Sequence, residues 1–235
     1  MDKHTRRRHE AQQSALNAAT ENRKPVEASP GGTKALADFT TQVADVDRLS
    51  AEQSDWLNEM RKAFKLCVEL RRTLYGMLKA VVKISASVVL EKESAEIIRL
   101  PRIKNRGKFV DDARAIWNVV AKYRQPFLDA GLPPRVFDDL PKQIDELVAA
   151  KDRTRSAREH IGLIVRNISE RLNDGDRSIG VMEAILATSP DADPDAVEHL
   201  RMAKRVGPAK ANVPEAAGAP PTTTASTAAP ATKTA

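Results

Sequence analysis

The stretch "WLNEMRKAFKLCVELRRTLYGML", Trp56 to Leu78, decides the fold class. Leu57, Phe64, Arg71 and Leu78 stand seven residues apart, and so do Met60, Cys67 and Leu74. Extended in both directions, the first series runs Leu36, Val43, Ser50, Leu57, Phe64, Arg71, Leu78, Ser85. The second runs Phe39, Val46, Gln53, Met60, Cys67, Leu74, Val81, Val88. Twelve of these sixteen positions are apolar, in one unbroken register. A period of 3.5 residues predicts one long helix over 36–88 packed against partner helices in a shallow supercoil. Ser50 with Gln53 also fits a capping box, which allows a break near 49–51.

A second register begins at Phe137: Leu140, Ile144, Leu147, then Lys151, Thr154 and Arg158, then Ile161, Val165, Ile168, Leu172, Gly175, Ile179, Met182 and Leu186. Eleven of these fifteen are apolar. Between the two registers, "FVDDARAIWNVVAKYRQPFLDAGLPP" predicts a helix over about 108–130, closed by Gly131 and the Pro133–Pro134 pair. Residues 92–108 read as a connection. "DPDAVEHLRMAKR" predicts a short helix capped by Asp193, with Pro194 at its first position. The fold class is therefore all-α: an elongated helical bundle with coiled-coil-like long helices. If the chain reverses at "GLPP", the two long helices are expected to run parallel; if it only kinks there, antiparallel.

The flanks divide the 235 residues into a polar, mobile N-terminal helix over 1–23, a Pro- and Gly-rich linker over 24–33, the bundle over 34–208, and an Ala/Pro/Thr-rich tail over 209–235 expected to be disordered. Aromatic residues make up 4% of the chain and charged residues 30%, a profile of long helices rather than sheets. One cysteine, Cys67, excludes an internal disulfide. The basic N-terminus lacks an apolar stretch behind it, and the most apolar run, 80–90, is too short for a bilayer and holds Lys83. A soluble, cytoplasmic protein is the expectation, with no membrane partner. The net charge of +6 is concentrated at the ends, where residues 1–24 carry six basic groups against three acids, so the body is nearly neutral.

At "RLP" (99–101), "FVDDARA" (109–115), "FLDAGLPP" (127–134), "AREHIG" (157–162) and "DPDAVEHLRMAKRVGP" (193–208), the chain resembles a group of uncharacterised all-helical bacterial proteins with no assigned activity. The resemblance implies a helical fold over about 1–208 and carries over no catalytic residue.

The four histidines, His4, His9, His160 and His199, show no metal-ligand spacing, and no cofactor is implied. Cys67 lies on the apolar register and reads as a small buried hydrophobe. Basic clusters at Arg6, Arg7 and Arg8 and at Arg102, Lys104, Arg106 and Lys108 suit phosphate contacts, although neither a helix–turn–helix nor an aromatic platform accompanies them. The charged break in the second register leaves two readings. Lys151, Thr154 and Arg158 mark either a seam whose partner helix has ended, or a buried polar layer with Arg71, Arg155 and His160, which would need a carboxylate or bound anion. An enzyme using Arg71, Arg155, Arg158 and His160 also stays open. The expected function is a non-catalytic interaction or scaffold protein, with a protein partner or self-association through seams left uncovered. Nucleic-acid association is the alternative.

Overall fold

The computed structural model describes residues 1–102 and 107–206. Every regular element among them is a helix: α1 (Lys3–Glu21), α2 (Arg23–Glu27), α3 (Pro30–Ser85), α4 (Lys92–Ile97), α5 (Phe109–Lys122), α6 (Arg124–Asp129), α7 (Arg135–Thr188) and α8 (Pro194–Arg205). The two long registers become α3 and α7. With 56 residues, α3 is about 84 Å long at ~1.5 Å per residue. None of the described helices is long and apolar enough to cross a membrane.

The long helices pack antiparallel. Phe39 and Val43 meet Ile179, Met182 and Leu186; Val46 and Leu49 meet Ile164, Ile168 and Leu172; Leu74 and Leu78 share a cluster with Leu140 and Ile144. The chain does reverse at "GLPP", where Gly131 adopts φ +90°, yet the helices are not parallel. The reason lies upstream. Phe109, which opens α5, stands beside Arg71, 14 residues before the end of α3, and Lys122 at its close reaches Glu91. The connection after α3 has therefore already carried the chain back, so α5 runs in the direction of α3 and the next reversal makes α7 antiparallel.

Local chemistry explains other departures from the sequence reading. No break occurs at 49–51: the Ser50 hydroxyl donates back to the Val46 carbonyl at 2.6 Å, inside the continuing helix. The predicted 108–130 helix divides at Tyr123, because Pro126 has no N–H to give the Lys122 carbonyl. The linker over 24–33 is largely helical. It holds α2 and the start of α3, where the Ser29 hydroxyl accepts from the Gly32 N–H and Pro30 takes the first position. The turn is tight enough that a Cβ on Gly32 would lie 1.8 Å from the Val26 carbonyl oxygen. The expected disordered tail falls outside the described residues.

The N-terminal helix is docked on the bundle. Ala15, Ala18 and Ala19 are buried with Val26, Phe39, Ile179 and Leu200. The helix lies on both long helices and on α8, and Asp2 caps its start by accepting from the His4 and Thr5 N–H groups. Those bonds, chiefly from Thr5, hold the Asp2 carboxyl below its ordinary pKa. At the same end of the bundle α8 is clamped to α7 by Glu183, which receives Lys204 at 3.1 Å and Arg201 at 3.3 Å. Lys204 first, then Arg201, lowers the Glu183 pKa.

Candidate functional site

The supporting helices cluster at the two ends. There, α1, α2 and α8 cover the start of α3 and the end of α7, while α5 and α6 cover the end of α3 and the start of α7. Between them α3 and α7 form a two-helix waist. The register residues record this. On α3 the series Phe39, Val46, Gln53, Cys67, Leu74 and Val81 stays buried, with Met60 half-buried. The parallel series is buried at Leu36, Val43 and Leu78 but half-buried at Leu57 and Arg71 and open at Phe64. On α7, Leu140, Leu147, Thr154, Ile168 and Gly175 stay inside, whereas Lys151 is half-buried and Arg158 and Val165 are open.

Two grooves flank the waist. One, of about 900 Å³, lies between Trp56, Ala63 and Leu66 of α3 and Ala149, Asp152, Arg153 and Ala157 of α7. Its charges are mixed, with Glu59 and Asp152 against Lys62 and Arg153. The ring of His160 stacks on Trp56 in the same register, 4.3 Å between centroids and 4° from parallel. The opposite groove consists of two adjoining hollows of about 290 and 260 Å³ that share Phe64, Thr154 and Arg158. Arg61, Lys65, Arg71, Lys151 and Arg155 complete its rim, with Met60 and Cys67 in the floor and Glu159 as the single acid among the lining residues.

The structure thus brings Arg71, Lys151, Thr154, Arg155 and Arg158 to one groove and sends His160 to the other side. They do not form a buried layer. Arg155 and Arg158 are exposed, Lys151 and Arg71 half-buried. Only Thr154 is inside, where its hydroxyl donates to the Ala150 carbonyl at 2.9 Å and lies 4.0 Å from the Cys67 sulfur. Arg155 pairs with Glu159 one turn on, at 3.0 Å. Arg71 lies 5.9 Å from the Phe109 ring centroid, and its Nε is buried without a hydrogen-bond partner.

The basic N-terminal cluster is split. Arg6 and Arg7 are exposed, but Arg8 is 3% exposed and is not free for a phosphate. It pairs with Asp176 of α7 and donates to Asn173 at 2.7 Å. Gln12 donates to Asp176 and to the Leu172 carbonyl, both at 2.7 Å, and His9 meets Asp47 of α3 at 2.8 Å. Sequence reasoning missed this polar seam because charge runs normally face water. The signal was Gly175: a Cβ there would lie 2.7 Å from the Gln12 side chain. In the second basic cluster Arg102 and Lys108 are exposed, while Lys104 and Arg106 lie outside the described residues. Among the described residues no three His, Cys, Asp or Glu side chains are grouped to hold a metal ion.

Compared with known proteins, the sequence matches no family profile, and neither a curated protein nor a solved structure is significantly similar to it.

Proposed function

We propose that the chain is a non-catalytic interaction or scaffold protein whose working surface is the two-helix waist, and that it stands among the all-helical bacterial proteins it resembles. The observation that carries this reading is the uncovered apolar surface at the waist. Phe64 is 40% exposed, Leu163 52% and Val165 48%, on helices whose ends are otherwise sheathed. Apolar side chains left open beside a groove, as Phe64 is, mark interaction sites. The ends supply rigidity and the waist supplies the surface. Co-purification of the tagged full chain from its host, with and without nuclease, tests the reading. Specific protein partners, or a stable second copy by light scattering, retained after nuclease treatment support it. Loss of every associated molecule on nuclease treatment refutes it in favour of nucleic-acid association.

A further inference from the structure

The basic groove at the waist is one part of a longer slot, and the chain's own helices already occupy the other parts. Helix α1 lies in it from one side. Its partners Leu172 and Asp176 fall two and three heptads beyond Arg158 and Arg155 of the groove, and Met1 donates to Gln53, one heptad before Met60. Helix α5 meets it from the other side. Its first residue, Phe109, contacts Arg71, and Trp117 packs edge-on to Phe137, two heptads before Lys151. Among the described residues the slot is left open between Gln53 and Arg71. That gap is about 27 Å at ~1.5 Å per residue, five helical turns.

We infer that this gap docks an acidic amphipathic helix from a partner protein, an assignment that rests on the interaction reading above. The shape argues for a helix, because the same slot already seats two helices of this chain. The floor argues for an apolar stripe on it: Leu57, Met60, Phe64, Ile161 and Val165 lie along the open length, none fully buried. The rim argues for acidic flanks. Arg61, Lys65, Arg71, Lys151, Arg155 and Arg158 line the two hollows with one carboxylate, Glu159, which is already paired, and the adjoining hollow beyond Phe64 and Lys65 adds Glu69 together with Arg72. A second copy docked by this groove across a two-fold axis would set one basic rim against another. A nucleic-acid strand would satisfy the rim and leave the apolar floor unmatched. Helix-in-groove recognition satisfies both.

The test measures fluorescence anisotropy with the full chain at physiological salt. The probe is a labelled helix-forming peptide of about 18 residues, matched to the gap at ~1.5 Å per residue, with Leu on one stripe and Glu flanking it. Controls are the same peptide with Lys for Glu, and labelled single-stranded and duplex DNA. The acidic peptide should bind saturably, and the Lys peptide at least ~10-fold more weakly, a difference of about 1.4 kcal/mol. Lys151→Glu with Arg158→Glu should weaken the acidic peptide by a similar factor and strengthen the Lys peptide. Arg158 is exposed and Lys151 half-buried, so the melting curve is recorded alongside, and an unchanged curve confirms that the variant is folded. Phe64→Ala should weaken the acidic peptide without reversing the charge preference. Absence of acidic-peptide binding, or binding indifferent to the double reversal, overturns the inference. So does DNA binding tighter than peptide binding and lost on the same reversal, or a dimer abolished by it. If host proteins survive nuclease treatment equally on the wild type and the reversal variant, the groove assignment fails while the interaction reading stands. If none survives on either, the interaction reading fails too.

Discussion

Asp176→Ala tests the polar seam that fixes α1. Asp176 is partly open, its side chain 22% exposed, but its partner Arg8 is only 4% exposed. Removing the carboxylate leaves a buried guanidinium facing Asn173 alone and deprives the buried Gln12 amide of one of its two acceptors. Breaking a buried pair from one side costs ~3–5 kcal/mol. The bond to Asn173 remains, so the expected loss is about 3 kcal/mol. There is a ceiling. Once the cost exceeds what docking contributes, α1 leaves the bundle instead of staying strained, and the loss stops growing. Urea unfolding followed by circular dichroism measures the total, and limited proteolysis reports whether α1 has come away. Arg6→Ala, on an exposed neighbour, is the control and should change stability by less than ~0.5 kcal/mol. If Asp176→Ala behaves like Arg6→Ala and α1 stays protected, the seam does not hold the helix. The same reasoning bears on nucleic-acid assays, because a variant lacking Arg8 weakens α1 docking as well as removing a cation.

Arg158→Leu should lie within ~0.5 kcal/mol of the wild type in thermal or urea unfolding, because the side chain is exposed; a loss above ~2 kcal/mol would contradict the open groove. Gly32→Ala should cost at least ~2 kcal/mol, since its Cβ would strike the Val26 backbone oxygen rather than a movable side chain; an unchanged urea midpoint would show that the α2–α3 corner opens freely. Glu183 has a folded pKa below the ordinary glutamate value of 4.5, owing first to Lys204 and then Arg201. Its contribution is therefore complete above the unfolded value and lost as pH falls through the depressed one. Hydrogen exchange should show α8 loosening in that acid range, and Glu183→Gln should make the loosening less dependent on pH.

Much of the architecture was legible because helix packing writes itself into the sequence as a period. The stripes through Phe39, Cys67 and Leu74 and through Leu147, Ile168 and Met182 are the buried seam. Gly131 and the Asp193–Pro194 pair marked their helix ends correctly. The antiparallel pairing was not legible, since it depends on which way the connection after α3 travels, and no periodicity encodes that. Docking of α1 was hidden for a different reason. Its inner face is built from Ala15, Ala18 and Ala19 with Arg8, His9 and Gln12, so mean hydropathy reads it as solvent-facing. Small residues let the backbones approach, and the polar groups find partners only in α3 and α7. Arg71, Lys151 and Arg158 were legible as a break in the pattern. Their common groove required the antiparallel register that brings residue 67 opposite 154.

The composition of the two open walls bears on what the waist is for. On α7 the outer stripe is buried at Phe137 and Ile144 at the α5 end and at Leu172 and Ile179 at the α1 end, and between them stand Lys151, Arg158 and the exposed Val165. A wall that only faced water would not keep Val165. On α3 the half-buried Leu57 and Met60 and the exposed Phe64 stay apolar across the same stretch, with Arg61 and Lys65 beside them on the rim and Arg71 where α5 begins. If solvation alone shaped the waist, both walls would be polar. If the two walls formed an ordinary core with an absent helix of this chain, both would be apolar. Both walls instead mix the two, with apolar side chains toward the floor and three cations each on the rim. That mixture fits neither condition; it fits an occupant with an apolar stripe set into the floor and carboxylates on both flanks.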